Sequence, residues 1–234
     1  MLELKNINTY YGEFHAIRDV SFKVDPGDFF LVVGPNGHGK STLLKTICGL
    51  LRTTSGQIVF NSAEITRSAT DKIVEMGLVY VAEERHLFPQ MTVLDNLKLG
   101  AYNTNARAKE RQTLEYVFHL FPALSEFKNR YAATLSGGEA RMLTLGRGIM
   151  SCAKLLAIDE PSFGLAPILR NEVFDKINEI NTSGMTVLLV EQNVNQVVEF
   201  ADRICLIEDG HIVFDGPKEE ALLNEHVKNV FLGG

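Results

Sequence analysis

The chain has 234 residues, 45% of them hydrophobic and 22% charged, and a formal net charge of −6 at pH 7. This length and composition fit an ordinary globular protein, built as one large domain or as a domain with a sub-domain. The acidic balance argues against a nucleic-acid surface, which needs clustered lysine and arginine, and no apolar stretch approaches the ~18 residues of a transmembrane helix.

The first part of the chain predicts strands around a glycine-rich loop. Residues 2–4 and 20–24 alternate between apolar and polar side chains, as half-buried strands do. The apolar run Phe29–Val33 indicates a buried strand, and residues 42–49 are typical of a helix. Between them the motif G-x-x-x-x-G-K-[ST] is spelled Gly34-Pro35-Asn36-Gly37-His38-Gly39-Lys40-Ser41.

This order of strand, glycine loop and helix predicts a site for the phosphates of a nucleoside triphosphate. Glycines let backbone N–H groups approach the phosphates, and the helix N-terminus, which includes Thr42, adds about half a positive charge. We expect Lys40 to reach the β- and γ-phosphates and the Ser41 hydroxyl to hold Mg²⁺. A glycine-rich turn ahead of an ordinary helix is the simpler alternative.

The middle of the chain changes from strands to helices. Residues 56–60 and 77–81 indicate two further strands. From about residue 92 to 151, apolar residues recur at helical spacing with charged residues between them. We therefore expect a single domain over residues 1–234, with a helical sub-domain inserted at about 92–151.

A possible second anion site lies inside this helical stretch. Ser136 is suited to cap the helix that follows, and Glu139 would complete a capping box. A well-capped helix needs nothing more, so Gly137 and Gly138 are the unexplained residues. Because two glycines expose backbone N–H groups, they indicate a phosphate contact at a helix N-terminus.

The last third predicts more of a parallel sheet. Residues 154–158 and 185–190 are continuous apolar runs, which fit strands covered on both faces by helices. Residues 203–214 alternate again and turn at 208–210, which indicates a hairpin. The fold class is therefore α/β, with a mixed core.

Two adjacent carboxylates end the strand at 154–158. Beside a phosphate loop, Asp159 is suited to orient Mg²⁺, and Glu160 is suited to polarise or deprotonate the attacking water. On their own they would be solvated turn residues.

The cysteines point to a reducing compartment rather than to a metal site. Cys48, Cys152 and Cys205 lie far apart among apolar residues, and the odd number lacks metal-like spacing. We expect all three to be small buried residues. The first residues show no basic segment ahead of a long apolar core, so we expect no secretion signal.

Together these motifs resemble the ATP-binding-cassette (ABC) ATPases. Residues Leu135–Glu139 are similar to the LSGGQ signature of that family, with Glu139 in place of the final glutamine. With the phosphate loop and the strand before Asp159, the resemblance covers essentially the whole chain. It implies a P-loop NTPase fold and hydrolysis of MgATP by two subunits paired head to tail, in which the signature of one closes on the γ-phosphate held by Lys40 of the other.

Further roles follow from the resemblance alone. Tyr11 stands where the family has an aromatic residue that stacks on adenine, although a tyrosine packed on its own sheet is the alternative. Glu83 replaces the usual glutamine that joins Mg²⁺ to the membrane partner. Gln192 replaces the usual histidine at the γ-phosphate, and its amide can donate a hydrogen bond but cannot titrate. His38 occupies a position that often holds a small residue, and we expect it to be exposed and without a role of its own. Residues 162–166 resemble the loop that touches the opposite subunit.

Some segments resemble one branch of the family, the second ATPase of branched-chain amino-acid (Liv-type) importers. They are Val81–Glu83, Leu87–Pro89 with Thr92-Val93, Gly164–Pro167, Val190–Asn193 and the ending 227–234. The departures from this branch are Ala82, where proline is usual, and Ala140-Arg141, where paired glutamines are usual.

The resemblance implies an ATPase subunit that lies on the cytoplasmic face of the cell membrane and drives a permease it does not contain. Expected partners are an identical or homologous ABC ATPase subunit, membrane permease subunits and, indirectly, an extracytoplasmic solute-binding protein, with no nucleic acid. The solute and the direction of transport are not encoded in these residues.

Three other classes of protein are alternatives to this one. A soluble ABC ATPase of iron–sulfur-cluster assembly would co-purify with soluble scaffold proteins instead of permeases. A nucleic-acid machine of the DNA-repair or translation-factor type would carry long coiled coils or two cassettes. A small-molecule kinase would leave the glycine pair of the signature unexplained.

Overall fold

The computed structural model describes residues 1–192, 194 and 196–232, the last three by their backbone. Its strands are β1 (Leu2–Tyr11), β2 (Phe14–Val24), β3 (Phe29–Val33), β4 (Ser55–Phe60), β5 (Ala63–Glu64), β6 (Leu78–Val81), β7 (Leu155–Asp159), β8 (Thr186–Glu191), β9 (Arg203–Glu208) and β10 (His211–Pro217). Its helices are α1 (Lys40–Ile47), α2 (Thr70–Met76), α3 (Val93–Gly100), α4 (Thr104–Ala108), α5 (Glu110–Leu120), α6 (Pro122–Glu126), α7 (Gly137–Met150), α8 (Pro167–Thr182), α9 (Lys218–Leu223) and α10 (Glu225–Leu232). Short 3₁₀ turns lie at Ala132–Thr134 and Val197–Phe200.

Two of the segments that resemble the Liv-type branch, Val190–Asn193 and 227–234, extend past the described residues. Asn193 and the final pair Gly233-Gly234 lie outside them. Among the helices that are described, none has the length and apolar character needed to cross a membrane.

The strands form two sheets. One is antiparallel, in the order β2-β1-β4-β5. The other has the order β10-β9-β3-β8-β7-β6, in which β10 alone pairs antiparallel with its neighbour. The predicted α/β fold with a mixed core is confirmed, and the predicted hairpin at 208–210 joins β9 to β10.

Strand β3 shows why the centre of the parallel sheet requires a continuous apolar run. Phe29, Leu31 and Val33 contribute to one hydrophobic core, whereas Phe30 and Val32 contribute to the other. The first core packs the sheet against α3, α5, α7 and α8, and the second packs it against α1 and the antiparallel sheet. Because both faces are covered, every position of this strand is buried.

The register of the parallel sheet aligns the carboxyl ends of its central strands. Val33 pairs with Glu191, and Asp159 pairs with Val190, while β6 lies alongside β7 in parallel. The loops that leave β3, β6, β7 and β8 therefore start side by side at one edge of the sheet. This edge is where ligands bind in α/β folds of this kind.

The structure corrects one expectation about the core. Cys48 and Cys205 are buried as predicted, but Cys152 is only half-buried. Cys152 has φ +59, because it lies in the turn that reverses the chain between α7 and β7.

Candidate functional site

The glycine-rich loop connects the carboxyl end of β3 to the first turn of α1. Gly34 has φ +153 and passes so close to Ile207 that a Cβ atom would collide with the Ile207 carbonyl oxygen. Gly39, with φ +104, is the N-cap of α1, and no side chain caps that helix. The first N–H groups of α1 are therefore left for another acceptor, which is the arrangement that binds anions.

Lys40 is the first residue of α1, two positions earlier than the sequence predicted for the helix start. Its Nζ donates hydrogen bonds to the carbonyl oxygens of Gly34 at 2.9 Å and Pro35 at 3.1 Å. It also forms an ion pair with Glu160, with 3.3 Å between Nζ and Oε1. Because Lys40 is only 3% exposed, its charge requires partners of this kind. The ammonium group is thus fixed inside the curve of the loop, beside the end of β7.

Asp159 is buried at the end of β7 with a hydroxyl donor on each carboxylate oxygen. Ser41 Oγ donates to Oδ1 at 2.8 Å, and the Tyr80 hydroxyl donates to Oδ2 at 2.7 Å. Burial and the Asp159 charge raise the pKa of Tyr80, so this hydroxyl remains protonated and remains a donor. The result is a pair of hard oxygen ligands, from Ser41 and Asp159, at the mouth of the phosphate loop.

Glu160 follows Asp159 in a conformation that is rare for a residue with a side chain. It has φ +38, and its backbone N–H donates to the carbonyl oxygen of Val190 at 3.0 Å. Left-handed conformations of non-glycine residues persist where neighbouring structure enforces them, and they concentrate at functional sites. Here the bond to β8 holds the turn and directs the carboxylate to Lys40.

Glu83 lies on the segment that leaves β6, and this segment is held by α7. Arg141 Nη1 donates to the carbonyl oxygen of Ala82 at 3.0 Å, and Nη2 donates to that of Glu83 at 2.8 Å. Arg147 makes equivalent bonds to the carbonyl oxygens of Arg85 and His86. Burial, and then the Arg85 charge, lower the pKa of Arg141 to about 10.

The carboxyl group of Glu83 is affected by the two site carboxylates. Burial raises its pKa first, and the charges of Glu160 and Asp159 raise it further. Strands β6 and β7 pair in parallel with Val81 opposite Ile158, so Glu83 and Glu160, each two residues further along, leave the sheet at the same edge.

The signature forms a complete helix N-terminus away from the phosphate loop. Ser136 Oγ accepts from the Glu139 N–H at 3.4 Å, and Glu139 Oε2 accepts from the Ser136 N–H at 2.7 Å, which confirms the predicted capping box. A Cβ atom at Gly137 would lie 3.3 Å from Arg85 Nη2 and from Leu165 Cδ2. Within the described residues, no hydrogen bond or ion pair joins Ser136, Gly137 or Gly138 to Lys40, Asp159 or Glu160. The structure therefore does not bring the two halves of the predicted site together in one chain.

Tyr11 ends β1 at the hairpin with β2, where its side chain is 47% exposed. Its neighbour Tyr10 instead stacks on His15, with 4.0 Å between the ring centroids. Because successive side chains of a strand point to opposite faces, Tyr11 presents the free ring of the pair.

Two remaining predicted residues lie at the rim. Gln192 directly follows β8 with an exposed side chain, and its backbone N–H donates to Glu191 Oε2 at 3.1 Å. The expectation that His38 is exposed and without a role is wrong. His38 is partly buried, and its Nδ1 accepts a hydrogen bond at 2.9 Å from the Asp209 N–H of the β9–β10 turn.

Three groups that build the site are not indicated by any sequence pattern. Tyr80 has the pattern of any other residue in a strand. Arg141 departs from the glutamine that the resemblance leads us to expect, but the sequence does not indicate which groups it contacts. Glu191 is buried, and Oε1 accepts from the Ser162 N–H at 3.0 Å, which ties the loop after Glu160 to the end of β8. Each of these contacts joins segments distant in sequence, so no local pattern predicts it.

A cleft of about 580 Å³ lies beside the site, between the 80–86 segment and the helices α3 and α7. Leu50, Phe88, Leu99 and Tyr102 line it and are each exposed, by 41–50%. Tyr80 also lines this cleft. Exposed apolar side chains gathered in one cleft are typical of a surface that another molecule covers.

Comparison with known proteins identifies the class. Residues 17–163 match the family model described as ABC transporter. The chain is 41% identical, over 100% of both chains, to the "High-affinity branched-chain amino acid transport ATP-binding protein BraG" of Pseudomonas aeruginosa.

Solved structures agree with this match. The ADP conformation of MJ1267, an ATP-binding cassette of an ABC transporter, superposes with a TM-score of 0.84 at 30% identity, covering 100% of this chain and 99% of that one. The dimeric structure of MJ0796, a bacterial ABC transporter cassette, superposes with a TM-score of 0.79 at 26% identity, covering 93% and 99%.

The chain belongs to the ABC transporter family. It is an ATP-binding subunit with ATPase activity, and its cassette is of a kind that occurs as a dimer.

Proposed function

We propose that this chain hydrolyses MgATP at a site shared between two ATPase subunits and thereby powers a membrane importer of branched-chain or related amino acids. The observation that carries the proposal is a double contact between the start of α1 and the end of β7, in which Ser41 bonds to Asp159 and Lys40 pairs with Glu160. The likeness to BraG over the full length of both chains supports the class of solute.

In this proposal Lys40 binds the β- and γ-phosphates together with the loop from Gly34 to Gly39 and the first turn of α1. The ammonium group would exchange the carbonyls of Gly34 and Pro35 for phosphate oxygens, which are better acceptors because they are charged. Tyr11 would stack on adenine, since its ring is exposed at the end of β1 while the ring of Tyr10 is stacked on His15.

The residues fit Mg²⁺ as a partner of the bound phosphates. Ser41 and Asp159 offer adjacent oxygen ligands, and Glu83 adds a carboxylate at the same edge of the sheet. Mg²⁺ usually takes one or two protein carboxylates together with substrate phosphates, which these residues could supply. Held by Ser41 and Asp159, Mg²⁺ would supply positive charge that offsets the negative charge developing on the phosphates.

Glu160 would accept a proton from the attacking water or polarise it. Its ion pair with Lys40, the residue that would bind the γ-phosphate, supports this role. Gln192 would donate its amide N–H to the γ-phosphate from the exposed rim after β8.

A second subunit would complete the site. Ser136 is exposed at the N-terminus of a fully capped helix, and its own chain does not bring it to Lys40. Nearby, Phe163 is 59% and Ile168 is 78% exposed on the segment that follows Glu160. Packing of this segment and of Ser136–Gly138 against another cassette, identical or homologous, would cover these side chains. In such a chain, residues 1–234 act as one ATPase domain, with the helical sub-domain at about 92–151.

The apolar cleft beside Tyr80 would receive a segment of a permease subunit. This interaction would keep the protein peripheral on the inner face of the membrane, and the permease would in turn meet an extracytoplasmic solute-binding protein. Magnesium, the permease and the membrane location are parts of the same proposal.

The test is co-purification and reconstitution. We expect tagged protein to isolate permease subunits from solubilised membranes, and ATP hydrolysis in vesicles made with those subunits and a binding protein to rise with leucine, isoleucine or valine. Isolation of soluble cluster-assembly scaffolds without permeases would contradict the transport assignment.

A further inference from the structure

Tyr80 occupies a position between the apolar cleft and the buried end of the ATPase site. It is the third residue of β6, and it lines the cleft. Its hydroxyl reaches Asp159 Oδ2 on the neighbouring strand β7 at 2.7 Å. None of the family roles described above falls on this residue.

The hydroxyl controls a torsion that the rest of the site leaves soft. The terminal torsion of an aspartate side chain has broad, roughly two-fold minima, so one hydrogen bond does not fix the plane of the carboxylate. Asp159 has Ser41 on Oδ1 and Tyr80 on Oδ2, and two donors on opposite oxygens do fix it. Oδ1 is thereby kept beside the Ser41 hydroxyl.

Removal of the Tyr80 hydroxyl would leave one oxygen of a buried carboxylate without this partner. Asp159 is 1% exposed, so water could not easily replace the donor. The carboxylate would then rotate toward other donors, or share the Ser41 hydroxyl, and its orientation toward a cation beside Ser41 would be lost.

We propose that Tyr80 is a positioning residue for the magnesium–nucleotide complex, which acts by holding the Asp159 carboxylate in the plane that pairs it with Ser41. The inference rests on the proposed function, since it requires MgATP at this site. Loss of an outer-shell partner of this kind typically lowers metal affinity or activity by about 10–100-fold.

The test uses Tyr80→Phe, which keeps the aromatic ring in the cleft wall and removes only the hydroxyl. Affinity for a fluorescent nonhydrolysable ATP analogue is measured by equilibrium titration, first in EDTA and then over a series of Mg²⁺ concentrations. We expect unchanged affinity in EDTA and about a tenfold increase in the Mg²⁺ concentration for half-maximal effect. Steady-state ATPase assays should show the same shift in Mg²⁺ dependence.

Tyr116→Phe is the matched control. The Tyr116 hydroxyl also has a side-chain partner, Ser183 Oγ at 2.9 Å, but on the surface between α5 and the end of α8. This variant should keep the wild-type Mg²⁺ dependence. Thermal unfolding of both variants separates lost stability from lost positioning.

Two outcomes would overturn the inference, and they differ in what else they remove. If Tyr80→Phe showed the wild-type Mg²⁺ dependence, with or without a lower Tm, the hydroxyl would be only structural and the proposed function would stand. If the wild-type protein gained no nucleotide affinity from Mg²⁺, both the proposed function and this inference would fall.

Discussion

Within one chain, the phosphate-loop end of the site is closed on itself, whereas the signature end is open. The phosphate-loop end has three buried charged side chains, those of Lys40, Asp159 and Glu160. Lys40 bonds to the Gly34 carbonyl and pairs with Glu160, and Asp159 accepts a hydrogen bond from Ser41. Ser136 is exposed, and its hydrogen bonds serve only its own helix. A preformed half and an unpartnered half in the same chain are what a head-to-tail pair requires, because each subunit then supplies what the other lacks.

The largest effect should come from Glu160→Gln, which preserves the shape of the side chain and removes its basicity. We expect ATP turnover to fall by about 10²–10⁴-fold, the usual contribution of a general base. Nucleotide binding should persist, and ATP should accumulate in a closed dimer. Steady-state ATPase assays and size-exclusion chromatography with light scattering measure the two effects. Substantial turnover by this variant would show that Glu160 is not the base.

Lys40→Ala should weaken nucleotide binding at the phosphate-loop end of the site without affecting the signature end. Loss of hydrogen bonds from a charged donor should reduce ATP affinity by about ten- to a hundredfold in equilibrium titration. Lys72→Ala is the matched control, since Lys72 pairs only with Glu75 on an exposed helix. Equal affinities for the two variants would argue against phosphate binding by the loop.

Arg141 physically connects the two regions, because α7 begins at the signature and Arg141 holds the carbonyls of Ala82 and Glu83. Arg141→Gln cannot reach both carbonyls, and it would leave partly buried acceptors without donors. We expect a loss of about 1–3 kcal/mol, or a Tm lower by about 3–10 °C. Arg111→Gln, which removes only an exposed ion pair with Glu115, should change Tm by less than about 2 °C. Similar Tm values for both variants would mean that the hydrogen bonds from Arg141 to these two carbonyls contribute little to stability.

Glu83 should give the smallest effect, and one that depends on pH. Burial and then the charges of Glu160 and Asp159 raise its pKa above the ordinary value of 4.5, so the folded protein binds this proton more tightly than the unfolded chain does. Stability is therefore lost as pH rises from the unfolded pKa through the folded one. Glu83→Gln should raise Tm by about 1–2 °C at pH 8, with a smaller difference at pH 5. Glu84→Gln, on the exposed neighbour, is the control, and an equal rise in both variants would remove Glu83 as the cause.

The sequence predicted the parts of the site that depend on local contacts, and it missed the parts that depend on contacts between distant segments. The phosphate loop, the strand before Asp159 and the capping box of Ser136 each depend on residues close together in the chain, and each was predictable. The bond from Tyr80 to Asp159 requires the parallel pairing of β6 with β7, which places Tyr80 opposite Ala157. The hydrogen bonds of Arg141 likewise join α7 to the segment after β6. Neither contact therefore leaves a pattern in the sequence.

Helix α8 was not predicted, although its sequence does carry a periodic apolar pattern. In α8, Val173, Phe174, Ile177 and Ile180 are buried at helical spacing, and the helix starts at Pro167. The short helix α2, in contrast, buries only Ile73, so its formation depends on packing rather than on a periodic apolar face.

The most direct test of the shared site mixes two variants that each lack one half. Lys40→Ala should disable the phosphate loop, and Ser136→Arg should block the signature, so neither should hydrolyse ATP alone. In an equimolar mixture, about a quarter of the wild-type activity should return, because half of randomly formed symmetric dimers are mixed and each has one intact site of two. If Ser136→Arg alone, as a monomer, hydrolysed ATP at the wild-type rate, the site would be complete within one chain and the account would be wrong.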